Sequence, residues 1–205
     1  MKLISDEKVP FAAYFVNGKV KGLRGRGELR KFCAETILSW IIFINKRYRL
    51  RGAIMFDIDD TLINSKEKTK NGFEHMKRMY DILSLEFPIH IVTARPDEDH
   101  KNCMKMLQKL GFCIPPDRLH MLPSKFYGKD YKYVEDFKWN CYVSIKQRHG
   151  RVLARFGDKL WDVAHIESFR GSKKYLEHIE DEDCYIFKDP RMDPCVCAKL
   201  PGCKY

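Results

Sequence analysis

The chain has 205 residues, of which 44% are apolar, 13% aromatic and 32% charged, and its net charge is +10. This mix is that of a globular protein, with one domain of substantial core and a short appendage. The most apolar stretch, residues 37–44, is far shorter than the about 20 residues that cross a bilayer, so no membrane span is expected.

The positive charge is concentrated near the N-terminus. Residues 1–52 hold twelve Lys and Arg against four Asp and Glu, a net +8 of the total +10. A basic segment of this kind favours phosphate-rich polymers or anionic surfaces, although it also fits a role in solubility. If the protein binds nucleic acid, we predict that the contact is made by the basic residues 19–51.

The first ten residues, MKLISDEKVP, contain no apolar core. No secretory signal is expected, so we predict an intracellular, cytoplasmic protein with reduced thiols. Four of the eight cysteines crowd the C-terminal end: Cys184, Cys195, Cys197 and Cys203. Free thiols are favoured there over a four-thiolate zinc site, because the spacing fits no common zinc pattern.

Taken in chain order, residues 1–29 are rich in turn formers and basic residues, which predicts a loosely structured arm with a short strand near 11–16. Residues 30–47 have helical spacing and predict a buried helix that covers the sheet or forms a partial cap. This helix opens a catalytic domain predicted over 30–190, and a Cys-rich tail follows at 191–205.

The rest of the chain alternates short apolar strands with helices, which indicates a parallel sheet covered on both faces. The predicted strands are 53–56, 88–92, 118–122, 152–156 and 184–187. The predicted helices are 66–85, 97–110 and 138–149. Ligands of such sheets bind beyond the carboxyl ends of the strands.

Polar side chains gather at those predicted ends. Asp57, Asp59 and Asp60 follow the first strand in FDIDDTL, and buried carboxylates require positive compensation, which a divalent cation and a phosphoryl group would supply. Further candidates stand at later ends: Thr93 after the second strand, Lys138 at the start of a helix, and Asp158 and Asp162 after the fourth strand.

The order and spacing of these residues resemble the four motifs of the haloacid dehalogenase (HAD) superfamily. FDIDDTL, IVTARP and GDKLWDV look most like its plant and bacterial acid-phosphatase group, over roughly residues 53–190. The resemblance implies a three-layer, Rossmann-like α/β fold with a central parallel sheet of about five strands and helices on both faces. The short segments between the motifs leave no room for a cap domain, so a capless or minimally capped site is expected.

The resemblance also assigns roles. It implies a Mg²⁺-dependent phosphomonoesterase in which Asp57 is the nucleophile that forms an aspartyl-phosphate, and Asp59 is the general acid and base. Thr93 and Lys138 would hold phosphoryl oxygens. The implied Mg²⁺ site comprises the Asp57 carboxylate, the Asp59 carbonyl, Asp158 and Asp162, which orients metal-bound water. Four other lysines compete with Lys138: Lys125, Lys129, Lys132 and Lys146.

Alternatives remain at this point. An open site accepts small phosphates and nucleotides, and it equally allows a polynucleotide-end or phosphoprotein phosphatase. A protein of another class, which binds nucleic acid on a catalytically silent HAD fold, is favoured only by the basic N-terminal segment.

The Lys- and aromatic-rich segment 126–133 suits stacking on bases and packing on its own domain equally well. His90, inside a predicted strand, is interpreted as a hydrogen-bonded core residue. Oligomeric state is left open.

Overall fold

The computed structural model describes residues 2–4, 13–16, 26–66, 71–163, 184–188 and 196–200. Within these ranges the strands are β1 (Lys2–Ile4), β2 (Ala13–Val16), β3 (Ala53–Phe56), β4 (Ile89–Pro96), β5 (Leu119–Leu122), β6 (Val152–Gly157), β7 (Cys184–Lys188) and β8 (Val196–Lys199). The α-helices are α1 (Arg26–Tyr48), α2 (Glu74–Ser84), α3 (His100–Lys109), α4 (Tyr131–His149) and α5 (Leu160–Val163). Short 3₁₀ turns cover Asp97–Asp99, Pro116–Arg118 and Ser124–Phe126.

All the described strands belong to one sheet, in the order β1-β2-β7-β8-β6-β3-β4-β5. The five strands β8, β6, β3, β4 and β5 are parallel to one another. β7, β2 and β1 extend this core in antiparallel fashion. The predicted α/β fold with a central parallel sheet of five strands is therefore confirmed.

The last strand of the parallel core is not the predicted one. Cys184–Lys188 is a strand, but it runs antiparallel to its neighbour β8. The fifth parallel strand is Val196–Lys199, which pairs with β6 and lies in the segment predicted as a Cys-rich tail. Residues 191–205 were predicted as a tail because of their cysteines. The short stretch Val196–Lys199 within them instead forms β8. The division into arm, catalytic domain and tail stays a prediction.

Two helices begin elsewhere than predicted. The helix expected from residue 66 starts at Glu74, because Ile63 pairs with Gly72 and the Phe73 amide donates to the Leu62 carbonyl at 2.9 Å. α4 starts at Tyr131, well before Lys138, where Asp130 caps it by accepting a hydrogen bond from the Lys132 amide at 2.9 Å.

The strands of the parallel core alternate between two apolar layers. In β3, Ile54 and Phe56 contribute to a large cluster with residues of α1, α2 and α3. Ala53 and Met55 contribute to a second cluster with Tyr142 of α4. Because side chains of a strand point alternately to the two faces, helices cover both faces of the sheet. This is the predicted three-layer arrangement.

Among the described residues, no helix combines the length and hydropathy that crossing a membrane requires. Cys33 on α1 is disulfide-bonded, and its partner is outside the residues whose side chains are described. The expectation of reduced thiols is therefore wrong at that position. Cys197, by contrast, is buried in the cluster beneath α4 and is not part of a disulfide. Cys195 and Cys203, and residues 19–25 of the predicted basic contact, lie outside the described residues.

Three histidines form a hydrogen-bonded string on the α4 face of the sheet. His90 on β4 lies between the other two, with its Nδ1 2.9 Å from Nε2 of His120 and its Nε2 2.9 Å from Nε2 of His149. The interpretation of His90 as a hydrogen-bonded core residue is confirmed. Burial, together with the charges of its neighbours, lowers the pKa of His90 to about 3, and burial also lowers the pKa values of His120 and His149.

We expect the string to make the fold sensitive to acid. In the unfolded chain the pKa of His90 is about 6.5, whereas in the folded protein the side chain stays neutral to much lower pH. Its contribution to stability is therefore present above pH 6.5 and is lost as the pH falls below that value, by about 1 kcal/mol per pH unit.

The measurement is the free energy of unfolding of the wild type and of His90→Gln between pH 7.5 and 5. The stability advantage of the wild type over the variant should shrink below pH 6.5. His100→Gln is the control, because α3 packs on the opposite face of the sheet. A wild-type advantage that stays constant over this range would contradict the prediction.

Candidate active site

Two loops at the carboxyl edge of the sheet bring the predicted carboxylates together. β3 and β6 are neighbouring parallel strands, so Asp57 and Asp158, which follow them, lie side by side. The Asp57 amide donates to the Phe156 carbonyl at 2.9 Å, which fixes where the first loop leaves the sheet. One carboxylate oxygen from each of Asp57, Asp158 and Asp162 lies within 4.8 Å of the others.

Gly157 lets Asp162 fold back onto this cluster. A Cβ atom at position 157 would stand 2.6 Å from Oδ2 of Asp162, too close for any real side chain. The other end of the turn is closed by the Lys159 amide, which donates to Oδ2 of Asp162 at 2.9 Å. The glycine before Asp158 is therefore needed for the close approach of the Asp162 carboxylate.

Lys138 of α4 supplies the positive charge of the cluster. Its Nζ lies 2.6 Å from Oδ1 of Asp57 and also donates to Oδ1 of Asp162. Only 3% of this side chain is exposed. Although burial alone lowers the pKa of Lys138, the charges and hydrogen bonds of Asp162 and Asp57 outweigh it and raise the pKa above its usual value. The structure thus brings Lys138, rather than a competing lysine, to the carboxylates.

Burial makes the ionised carboxylates costly. It raises the pKa of Asp57 well above its ordinary value, against the lowering effect of Lys138, and the charges of Asp162 and Asp158 add to the increase. Burial and the charge of Asp162 raise the pKa of Asp158 to about 7. One lysine therefore does not neutralise these acids.

The donor set fits a divalent cation of the magnesium type. When ionised, the three clustered carboxylates carry three negative charges. Lys138 contacts Asp57 and Asp162, and the Nζ atom of the partly exposed Lys159 lies 4.0 Å from Oδ2 of Asp158, so a net negative charge remains. Carboxylate oxygens are the ligands that Mg²⁺ prefers. Within the described chain no other group of three such side chains converges in this way.

Asp59 does not join the cluster. Its side chain is 40% exposed and is held by Arg95 through two contacts, from Nη2 to Oδ1 at 2.7 Å and from Nε to Oδ2 at 2.8 Å. Such two-point pairs between arginine and a carboxylate fix the geometry of both side chains. The predicted general acid is therefore held in place by Arg95, on the solvent side of the buried acids.

Thr93 lies inside β4 rather than after it. The strand continues to Pro96, but its pairing with β5 shifts between Thr93 and Pro96. The Thr93 hydroxyl is buried and accepts a hydrogen bond from the Arg95 amide at 3.3 Å. The irregular register thus carries Thr93 and Arg95 to the edge that also carries Asp59.

Asp60, the third carboxylate of FDIDDTL, has a local role. Its φ of 53° is left-handed, a conformation that Asp tolerates better than most residues. Its Oδ1 accepts hydrogen bonds from the Ser65 amide at 3.1 Å and the Ser65 hydroxyl at 2.6 Å. Asp60 therefore shapes the loop that presents Asp57 and Asp59.

The sequence analysis did not predict a role for two arginines that lie near the carboxylate cluster. Arg95 stands in the IVTARP motif, and its pairing with Asp59 depends on the broken register of β4. Arg155 is fully buried on β6, where its Nη2 donates to the Asp162 carbonyl at 2.9 Å and its guanidinium lies 5.1 Å from the Tyr142 ring. Arg155 could have been identified from the sequence, because it is a charged residue inside an otherwise apolar strand.

Comparison with known proteins identifies the fold. No protein-family model matches the chain, and no curated protein is similar to it. Among solved structures, a class C acid phosphatase from Bacillus anthracis is 16% identical, with a TM-score of 0.51 over 73% of this chain and 73% of that one. The same kind of enzyme from Bacillus anthracis with tungstate bound is 16% identical, with a TM-score of 0.54 over 76% and 75% of the two chains. The chain thus has the fold of these phosphatases, as the HAD resemblance implied.

Because the three carboxylates are crowded together, we expect the protein to become more stable when one of their charges is removed. We expect Asp158→Asn to raise the free energy of unfolding by about 2 kcal/mol in a chelator at pH 8, because it removes a charge whose burial is unfavourable. The gain should be largest above pH 7, where the buried Asp158 is ionised, and should disappear toward pH 4.

The test is chemical denaturation of both proteins across this pH range. Asp81→Asn is the matched control: Asp81 is a half-exposed carboxylate paired with Lys77, and its loss should lower stability by at most about 0.5 kcal/mol. An Asp158→Asn protein that is less stable than the wild type at pH 8 would contradict the prediction. It would show that the repulsion between Asp158 and the other buried carboxylates is already compensated.

Proposed function

We propose that this protein is a Mg²⁺-dependent phosphomonoesterase that works through an aspartyl-phosphate on Asp57. The observation that carries the proposal is the buried group of Asp57, Asp158 and Asp162 around Lys138 at the carboxyl edge of the parallel sheet. The fold it shares with class C acid phosphatases supports the same reaction class.

Asp57 has the position that a nucleophile needs. Lys138 contacts its Oδ1, so we assign Oδ2 as the attacking atom. In the first step a bond forms between Oδ2 and phosphorus while the bond from phosphorus to the ester oxygen breaks. In the second step water attacks phosphorus, which releases inorganic phosphate and regenerates the Asp57 carboxylate.

Asp59 handles the protons in this scheme. Its protonated carboxyl gives a proton to the departing ester oxygen, and the resulting carboxylate takes a proton from the attacking water. In the structure Asp59 is paired with Arg95, the state suited to the second step. The first step therefore requires that the pair opens and that Asp59 gains a proton.

Thr93 and Lys138 are positioned to bind the transferred group. Because the Thr93 oxygen accepts from the Arg95 amide, its own hydrogen is available to a phosphoryl oxygen. Lys138 uses two of its three N–H groups on Asp57 and Asp162, which leaves one donor for a phosphoryl oxygen in a buried place. Bound to Asp57, Asp158, Asp162 and the Asp59 carbonyl, Mg²⁺ would supply additional positive charge against the phosphoryl oxygens.

A catalytically silent binding protein is less well supported. A protein that only binds does not need a destabilising cluster of buried charges. Here, however, Asp57, Asp158 and Lys138 are all buried together. Natural proteins retain unfavourable buried charges chiefly where chemistry requires them. The cluster therefore favours turnover over binding alone.

We expect phosphate release from an aryl phosphate to require Mg²⁺ and to fall at least about 1,000-fold in Asp57→Asn, because an amide is not a nucleophile for phosphorus. The measurement is steady-state phosphate release with Mg²⁺ and with a chelator. Asp81→Asn, on the outer side of α2, is the control for substitution of a carboxylate. A folded wild type without turnover on any phosphomonoester, or an active Asp57→Asn, would contradict the proposal.

Asp59→Asn gives a sharper test of the proton transfer. A general acid matters most when the leaving oxygen is strongly basic. We therefore expect the loss in kcat to be about tenfold or less for a nitrophenyl phosphate and at least about 100-fold for an alkyl phosphate. Equal losses for both substrates would assign Asp59 to a role other than protonation of the leaving group.

A further inference from the structure

A band of exposed aromatic and lysine side chains borders the candidate active site. Tyr127, Tyr131 and Tyr133 are 60%, 59% and 44% exposed. With their neighbours they form what we call the Lys/aromatic surface: Lys125, Phe126, Tyr127, Lys129, Tyr131, Lys132, Tyr133 and Trp161. Large aromatic side chains in water are unfavourable, and a group of them marks a place where something binds.

This surface is fixed to the carboxyl edge of the sheet. The Ser124 amide and hydroxyl donate to Oδ1 of Asp97 at 2.9 and 2.5 Å, and Asp97 directly follows β4. At the other side, the ring of Tyr131 stacks on Trp161 with 6.0 Å between centroids. Trp161 immediately precedes Asp162 of the carboxylate cluster on α5, so this end of the surface adjoins the short helix that carries one of the acids.

The surface combines ring faces with positive charge. Phe126 and Tyr133 stack at 4.8 Å, nearly parallel, and the ammonium groups of Lys125 and Lys129 lie 4.9 and 6.0 Å from the Phe126 ring. Across residues 123–133 the chain has three lysines and a single acidic residue, Asp130. That carboxylate caps α4. Residues 123–133 thus carry a net charge of +2, which favours a polyanion on this surface, although the acidic turn Asp97–Asp99 lies at its border.

We propose that the Lys/aromatic surface binds single-stranded nucleic acid and presents its terminal phosphate to Asp57. The proposal rests on the phosphomonoesterase function and specifies its substrate class. Exposed rings stack on successive bases without sequence preference, and lysines track the phosphate backbone. A phosphopeptide would match the lysines but would make less use of the exposed ring surface, of which Tyr127 has the largest exposed fraction among the three tyrosines.

Binding is tested apart from catalysis. A fluorescently labelled 12-nucleotide single strand with a terminal phosphate is titrated with protein in a chelator, and its anisotropy gives the Kd. We expect Tyr127→Ala with Tyr131→Ala to weaken binding at least about tenfold, because each stack contributes appreciably to affinity. Lys125→Ala with Lys129→Ala should weaken binding and lower the salt dependence of log Kd by about 1.4, or 0.7 per lysine.

Matched controls exist on other elements. Leu85→Ala removes an apolar side chain that is 85% exposed at the end of α2, and Lys105→Ala with Lys109→Ala removes two exposed charges on α3. These variants should bind the strand within about twofold of the wild type. Equal weakening by the control and surface variants, or wild-type affinity of the tyrosine variant, would overturn the proposal.

Turnover then separates this proposal from the function on which it rests. The ratio of kcat/KM for the phosphorylated strand to kcat/KM for an aryl phosphate should fall about tenfold or more in the tyrosine variant. A wild type that hydrolyses the aryl phosphate but prefers mononucleotides or phosphopeptides to the strand refutes the substrate class alone. A wild type that binds the strand and hydrolyses nothing refutes the phosphatase.

Discussion

The structure around the candidate site depends on one electrostatic constraint, the burial of three carboxylates beside the buried ammonium group of Lys138, with the partly exposed Lys159 near Asp158. Such a group is stable only if the surrounding chain holds it rigidly, since each charge has lost its water. The adjacent strands β3 and β6 place two of the acids, and Gly157 admits the third. Arg155, bound to the Asp162 carbonyl and stacked on Tyr142, ties the loop of one acid to the helix that carries Lys138.

Outside this buried group the acids behave differently. Asp59 is partly exposed and finds its partner in Arg95, and Asp60 closes a turn through Ser65. Three aspartates within four positions of the sequence thus occupy three environments: buried beside a lysine, exposed beside an arginine, and turned back on the backbone. A chemical cycle that needs one carboxylate as nucleophile and another as proton carrier depends on this division.

The sequence predicted much of this arrangement, and its failures have physical causes. The strand at residues 53–56 and the meeting of Asp57 with Asp158 follow from an apolar run, its polar end and the geometry of parallel sheets. The start of α4 was missed because Lys- and Tyr-rich segments fit loops and helices alike. The parallel strand β8 was missed because four residues carry little periodicity. The Asp59–Arg95 pair depends on a register shift in β4, which no local pattern reveals.

The position of β8 bears on how the chain is made. β8 lies between β6 and β7, and the Leu200 amide after it donates to the Gly157 carbonyl at 2.6 Å. Among the described strands it leaves the ribosome last, although it fills an interior place of the sheet. Until then the nascent polypeptide exposes the edge of β6, the kind of unpaired strand that chaperones shield and that aggregates otherwise. The backbone contact that holds the loop at Gly157 therefore forms only after β8 has been synthesised.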